Sequence, residues 1–110
     1  MNRREFVIPQ TPISKNVWHR IHWAKRAGIK VAWEEMTWAG VNLPPRMPRP
    51  LPSVRCSIAV AWNKRGPLPD EINLEMAFEA IADGLVKAGI IADDSGKQFV
   101  RGDPRKVVRQ

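Results

Sequence analysis

The chain has 110 residues, of which 44% are hydrophobic and 26% charged, and its net charge is +7; this composition indicates one globular domain over residues 1–110. No apolar run approaches the roughly 18 residues of a membrane span, residues 1–6 lack the apolar stretch of a signal peptide, and the single cysteine excludes an internal disulfide framework. We therefore expect a cytoplasmic protein that does not cross a membrane.

The first half of the chain predicts a short strand, a loop and a long helix. Residues 6–8 form an apolar run that a proline ends, which is typical of an edge strand, and residues 9–16 are typical of a loop. Helical periodicity extends over about residues 22–39, with Gly40 as the residue that follows the helix end. The proline-rich segment 41–53 predicts an extended connecting loop.

Four of the five tryptophans lie in or beside this first helix. We expect Trp33 and Trp38 to pack on the sheet. For Trp18 and Trp23 two roles are equally open, packing against the core or stacking on exposed nucleobases.

The second half predicts one strong strand, one helix and two short strands. Apolar and polar residues alternate over residues 54–62. A helix from Asn73 carries a buried stripe and ends at Gly89, and strands follow at about residues 97–101 and 105–110. The predicted class is α/β or α+β, a small β-sheet with two main helices.

Charge is distributed unevenly along the chain. Residues 1–66 contain 12 Lys or Arg and 3 Asp or Glu, whereas residues 67–110 contain 6 and 8. A basic half indicates a polyanion as partner, most simply nucleic acid, although a solvated basic surface explains the same count.

Acidic side chains flank the second helix at both ends. Asp70 precedes the helix and Asp93 and Asp94 follow it, separated by roughly 24 Å of helix, so they meet only if the second loop folds back. Carboxylate oxygens are the ligands that Mg²⁺ prefers, and a metal so held activates water for attack on a phosphodiester. The alternative roles are a helix cap for Asp70 and a solvated turn for the other two.

Two segments resemble the RusA family of Holliday junction resolvases. Residues 11–33, TPISKNVWHRIHWAKRAGIKVAW, resemble the Pro-Ser-x-Asn-type loop of the family and the basic and aromatic residues that lead into its first helix. Residues 70–100, DEINLEMAFEAIADGLVKAGIIADDSGKQFV, resemble its Asp-x-Asp-Asn-Leu stretch, its glycine-ended helix and its Asp-Asp turn. The likeness covers about residues 6–101.

The resemblance implies a homodimeric α/β domain with a mixed sheet that cleaves four-way DNA junctions in recombination and repair, often in phage or prophage contexts. It implies Mg²⁺ as cofactor, with Mn²⁺ as a substitute. Matched position by position, the family's first and last catalytic aspartates fall on Asp70 and Asp94, and its asparagine on Asn73. Asp93 and Glu71 are further candidate metal ligands.

The sequence departs from the family at two positions of the chemical centre. Ile72 stands where the family has its second aspartate, and the helix has Glu75, Met76 and Glu79 in the region where the family usually has a lysine. Either Glu71 or Glu75 replaces the missing ligand, or the chain binds junctions without cutting them.

Exposed cations near both motifs are the candidates for contact with DNA phosphates. A different class of function is also open, a small structural protein whose basic half contacts an acidic protein. The candidate DNA-binding residues are Lys15, Asn16, Arg20, Lys25, Arg26, Lys64 and Arg65.

Overall fold

The computed structural model of the chain describes residues 4–10, 12–44, 47–62, 72–102 and 105–108. These ranges form a mixed α+β fold, which confirms the predicted class at that level. The elements follow one another as α1 (Lys15–Arg20), α2 (Trp23–Val41), β1 (Val54–Cys56), β2 (Ala59–Trp62), α3 (Leu74–Lys87), β3 (Phe99–Arg101) and β4 (Arg105–Val108).

The described strands form two parallel pairs, β1 with β3 and β2 with β4. The mixed sheet that the resemblance implies therefore differs from what these strands form, and the antiparallel contact outside them is a single bridge between Ser14 and Ile72. The strand predicted over residues 54–62 is present in two pieces. It breaks where Gly102 approaches Ser57 so closely that a Cβ would lie 2.3 Å from the serine Oγ.

Helix α3 connects β2 to β3 and forms the centre of the core. Parallel neighbours need a crossover of this kind, because a tight hairpin turn cannot reverse the chain direction twice. As predicted, α3 follows Asn73, and Gly89 takes a left-handed φ of 76° beyond its end. Its apolar stripe is buried with residues of the following loop, mainly Phe78, Ile81, Leu85, Ile90 and Ile91.

Helix α2 packs along α3 in the same direction. Near the start of the contact the Lys30 ammonium lies 3.3 Å from a Glu79 oxygen, and further along both helices Lys87 binds Glu34. Trp33, one turn after Lys30, packs in a cluster with Ala77 and its neighbours on α3. The N-terminal ends of both helices therefore lie at one end of the molecule.

Several local predictions are wrong. Trp33 packs on α3 rather than on the sheet. Residues 6–8 have no strand partner in the described ranges; Phe6 and Ile8 pack on the core as irregular chain instead. Gly40 does not follow the helix but lies inside it, where a Cβ would be 2.5 Å from the Phe6 ring. Trp38 is 52% exposed, because the face of α2 that is buried is the one carrying Trp33.

Helix α1 lies partly in a segment whose sequence predicts a loop. The helix begins one residue after Ser14, whose Oγ accepts a hydrogen bond from the Val17 N–H over 3.2 Å. A serine in that position is a typical N-cap, so a local signal for the helix start is present in the sequence. Within the described ranges, no helix combines the length and apolar character required to traverse a lipid bilayer.

Candidate nucleic-acid and metal site

A short backbone contact joins the start of α1 to the start of α3. Ser14 forms a bridge with Ile72, and the Asn73 N–H donates to the Ile13 carbonyl over 3.1 Å. On either side of this contact a helix starts: Ser14 caps α1, and Asn73 Oδ1 accepts from the Met76 N–H at the start of α3. Residues 13–14 and residues 72–73, distant in sequence, thus adjoin in space.

The candidate phosphate contacts of the first segment form an exposed basic surface over α1 and the first turns of α2. Asn16 and the cations Lys15, Arg20 and Lys25 are exposed. Within the described ranges none of the three cations forms an ion pair. No aspartate or glutamate occurs between Glu5 and Glu34 in the sequence. This segment therefore contributes no carboxylate that would neutralise its own cations.

Aromatic side chains are interspersed with these cations. The Arg26 guanidinium carbon lies 6.0 Å from the centroid of the Trp18 ring, at the outer limit of a cation–π contact. Trp23 is 68% exposed, and its ring centroid lies 5.5 Å from that of His22 at a tilt of 35°. His22 Nδ1 accepts from the Ala24 N–H over 3.2 Å, so the ring caps α2.

The loop that carries Asp93 and Asp94 folds back along α3. Gln98 Oε1 accepts from the backbone N–H groups of Ala92 and Asp93, over 3.0 and 3.1 Å, and so closes the loop. Asp94 consequently lines a cavity of about 380 Å³ beside the middle of α3. The other lining residues are Glu79, Ala82, Gly96, Phe99, Val100 and Arg101.

Two glutamates near this cavity have cationic partners. Glu79 pairs with Lys30 over 3.3 Å, and Glu75 pairs with Arg101 over 2.7 Å. Glu75, a candidate replacement for the missing ligand, is thus held toward β3. Sequence reasoning did not identify Arg101 as the partner of Glu75. This pairing depends on where β3 lies, and the Phe78 ring lies 5.4 Å from the Arg101 guanidinium.

The remaining members of the predicted metal site fall outside the described residues, namely Asp70 and Glu71, as do the predicted DNA contacts Lys64 and Arg65. Within the described ranges no three His, Cys, Asp or Glu side chains form a group able to hold a metal. The shared cation between Asp70 and Asp94 therefore stays a prediction, and Asp93 and Asp94 are both exposed to solvent.

Three side chains within residues 72–76 are buried, and one of them caps the start of α3. Ile72 is 6% exposed and Met76 2% exposed, so both of these apolar side chains pack in the core. Asn73 is buried as well, and its carboxamide oxygen is used as the cap of α3. This cap is the interaction that the structure assigns to Asn73.

Among the residues that the structure describes, three ionisable groups have shifted pKa values. Burial is the main cause that raises the pKa of Asp83, on the face of α3 that meets Glu34, and Lys30 opposes it. The hydrogen bond from the Lys87 ammonium to Glu34 raises the pKa of Lys87. Burial raises the pKa of Cys56 to about 11, so the thiol is protonated at neutral pH and does not act as a nucleophile.

Comparisons with known proteins found no similar protein. No protein-family model, no curated protein and no solved structure matches the chain. We therefore infer function from the residues of the site themselves.

Proposed function

We propose that this protein is a Mg²⁺-dependent endonuclease that resolves four-way DNA junctions in recombination and repair, as a cytoplasmic homodimer of phage or prophage type. The observation that carries the proposal is the backbone contact of Ile13 and Ser14 with Ile72 and Asn73. It places an exposed basic surface beside the start of the helix that the acidic motif precedes. A nuclease needs that combination, cations for the DNA backbone next to acids for a metal.

In this proposal the basic residues bind and orient the substrate. Lys15, Arg20, Lys25 and Arg26 contact phosphates on either side of the scissile bond, with Lys64 and Arg65 extending the path. Asp70 and Asp94 would hold Mg²⁺ or Mn²⁺, helped by Asp93 and Glu71. The metal, when bound, polarises the phosphodiester and supplies an activated water.

The fold-back of the Asp94 loop supports the metal site. Convergence of the two aspartates requires this loop to return along α3, and it returns as far as Glu79, in the middle of the helix. Glu79 lies six residues beyond Asn73, or about 9 Å along the helix axis at 1.5 Å per residue. Oxygen donors alone fit the hard cation Mg²⁺ and give no preference for zinc.

Homodimerisation fits the substrate. A four-way junction has two equivalent strands to cut, and a twofold dimer presents each site twice. The dimer therefore places one basic surface and one acidic motif at each of the two strands.

A second function is favoured by one specific observation, binding of junctions without cleavage. Ile72, at the position where the family has an aspartate, is buried and apolar, and the region where the family usually has a lysine reads Glu75, Met76 and Glu79. Restoring the acid at position 72 would bury a carboxylate, which is costly without a partner. Such a protein would keep the basic surface that binds DNA but would not cleave the phosphodiester.

A nicking assay separates the two functions. A synthetic four-way junction is incubated with the protein in Mg²⁺, in Mn²⁺ and in a chelator, while binding is measured on the same samples. The endonuclease predicts symmetric nicks that need the metal and disappear in Asp70→Asn and Asp94→Asn. Glu35→Gln, which replaces an exposed carboxylate on α2, serves as the matched control and retains cleavage.

The other outcomes are equally decisive. Tight binding without product in either metal identifies the non-cleaving function. Cleavage that persists in both aspartate variants would mean that the metal ligands are assigned wrongly. Absence of any DNA affinity at low salt would leave the third class, a protein that contacts an acidic protein partner.

A further inference from the structure

Two tryptophans of α2 are exposed, and they differ in their surroundings. Trp23 is 68% exposed in the first turn of the helix, whereas Trp38 is 52% exposed near its end. Arg26 lies one turn beyond Trp23 on the same face, and Glu35 lies one turn before Trp38. Trp33, on the same helix, is buried against α3, so packing on the core accounts for Trp33 but not for the exposed pair.

An exposed indole leaves a large apolar face in contact with water, and a ligand that covers this face removes it from water. Trp23 also begins a helix whose first turn has no acid and includes Lys25. The helix macrodipole favours negative charge at this end, so a cation there is unfavourable until an anion binds. The ligand that satisfies both features has an apolar flat face and adjacent negative charge.

We infer that Trp23 is a stacking platform for an exposed nucleobase face at the branch point of the DNA, with Arg26 and Lys25 on the flanking phosphates. This inference rests on the proposed function, because it requires that the basic surface binds DNA. Indole stacks on any base, since every base has a π-face, and nearby arginine adds to the interaction.

The geometry of DNA limits which bases Trp23 can reach. In a continuous duplex each base pair covers the faces of its neighbours. Faces become accessible at a branch point, at a helix end or where a base is unpaired. Trp23 therefore recognises branching itself, while the surrounding cations bind any phosphate backbone.

His22 assists by holding the ring in place. Its imidazole lies tilted against the indole and accepts the Ala24 N–H, so it links the platform to the backbone of α2. Its Nδ1 accepts that hydrogen bond, and the ring therefore carries its hydrogen on Nε2 in the neutral form. A platform so held needs little ordering when a base stacks on it.

The test uses two four-way junctions that carry 2-aminopurine, a fluorescent base that responds to stacking. In one the probe lies next to the branch point, and in the other it lies within an arm. All measurements are made in a chelator, so cleavage does not enter the readout. Wild type should change the fluorescence of the branch-point probe and leave the arm probe unchanged.

The variants locate the effect. Trp23→Ala should abolish the change at the branch point and weaken junction binding by on the order of fivefold to a hundredfold, the range expected for loss of one stacked base. Its affinity for a plain duplex should stay within about twofold of the wild-type value, because the phosphate contacts remain. Trp23→Phe should retain part of the signal, and Trp38→Ala should behave as wild type.

Each alternative result has a clear meaning. If wild type binds junctions and Trp23→Ala binds them equally well with the same fluorescence change, the inference is overturned and the proposed function survives. If wild type binds no DNA at low salt, both the inference and the proposed function are wrong. Thermal unfolding of the variants checks folding, and because Trp23 is exposed, its replacement should leave the unfolding temperature nearly unchanged.

Discussion

The two long helices of this protein have opposite surroundings at their N-terminal ends. Helix α3 begins with a buried asparagine cap and continues with side chains that form the centre of the core. Helix α2 begins with a histidine cap and an exposed tryptophan, in a segment without acids. The first pattern explains the stability of the fold. The second contributes little to the core, and we propose that it serves binding.

Deleting core volume on α3 should have the largest effect. Leu85 is buried in the main cluster, so Leu85→Ala should lower the free energy of unfolding by about 2–5 kcal/mol, from reduced burial and the cavity left behind. The matched change Leu43→Ala, at an exposed leucine after α2, should alter it by less than about 0.5 kcal/mol. Chemical denaturation measures both. Equal effects would mean that α3 is not the centre of the core.

The contact between the helices should respond to a single methyl group. At Gly84 a Cβ would lie 2.9 Å from the Glu34 carbonyl oxygen and 2.9 Å from Thr37 Cβ, so Gly84→Ala should destabilise the fold by about 1–3 kcal/mol. At Gly28, in the exposed half of α2, a Cβ would have nothing within 4 Å of it. Gly28→Ala should therefore stabilise the protein by about 0.5–1 kcal/mol. Chemical denaturation of both variants checks the opposite signs.

The N-caps of α1 and α3 should differ in how much they contribute to the free energy of unfolding. Asn73→Ala removes a buried cap of α3 and should lower the free energy of unfolding by about 0.5–2 kcal/mol. Ser14→Ala removes the cap of the six-residue helix α1 and should have a smaller effect on the same quantity. A larger decrease in Ser14→Ala would show that α1 contributes more to folding than α3 does at this point.

The smallest expected effect depends on pH. The pKa of Asp83 is raised in the folded state, so its contribution to stability is fullest below the ordinary carboxyl pKa and is lost as the pH rises through the raised value. Asp83→Asn should therefore raise the unfolding temperature near pH 7, by a small amount because Asp83 is only partly buried.

That gain should vanish near pH 3, where Asp83 is protonated in both the folded and unfolded states. Thermal unfolding at the two pH values measures the difference. A lower unfolding temperature for Asp83→Asn at neutral pH would contradict the expectation. It would mean that the charged carboxylate stabilises the contact with α2 through Lys30.

The sequence predicts α3 well because several signals agree there. Asn73 is a cap, the apolar spacing is helical, and Gly89 follows the end, so local and tertiary preferences favour the same structure. Around α2 the signals conflict. Trp38 and Trp33 are both apolar, and only the position of α3 decides which of them is buried.

The candidate site is predictable in its residues but less so in its arrangement. Exposure of Lys15, Arg20 and Lys25 follows from their charge. The bridge of Ser14 with Ile72 depends on long-range backbone pairing, which no local pattern encodes. The pairing of Glu75 with Arg101 depends likewise on where β3 lies, so the sequence could not show that this acid already has a partner.

The most direct test of the central claim, that the exposed basic surface binds DNA phosphates, is a salt titration of junction binding. Affinities of wild type and of the triple variant Lys15→Ala, Arg20→Ala, Lys25→Ala are measured over a range of salt concentrations. Wild-type affinity should fall steeply with salt, and the slope of log affinity against log salt should be shallower by about 3 in the variant, about 1 for each cation that no longer neutralises a phosphate. Equal slopes and equal affinities in the two proteins would contradict the claim.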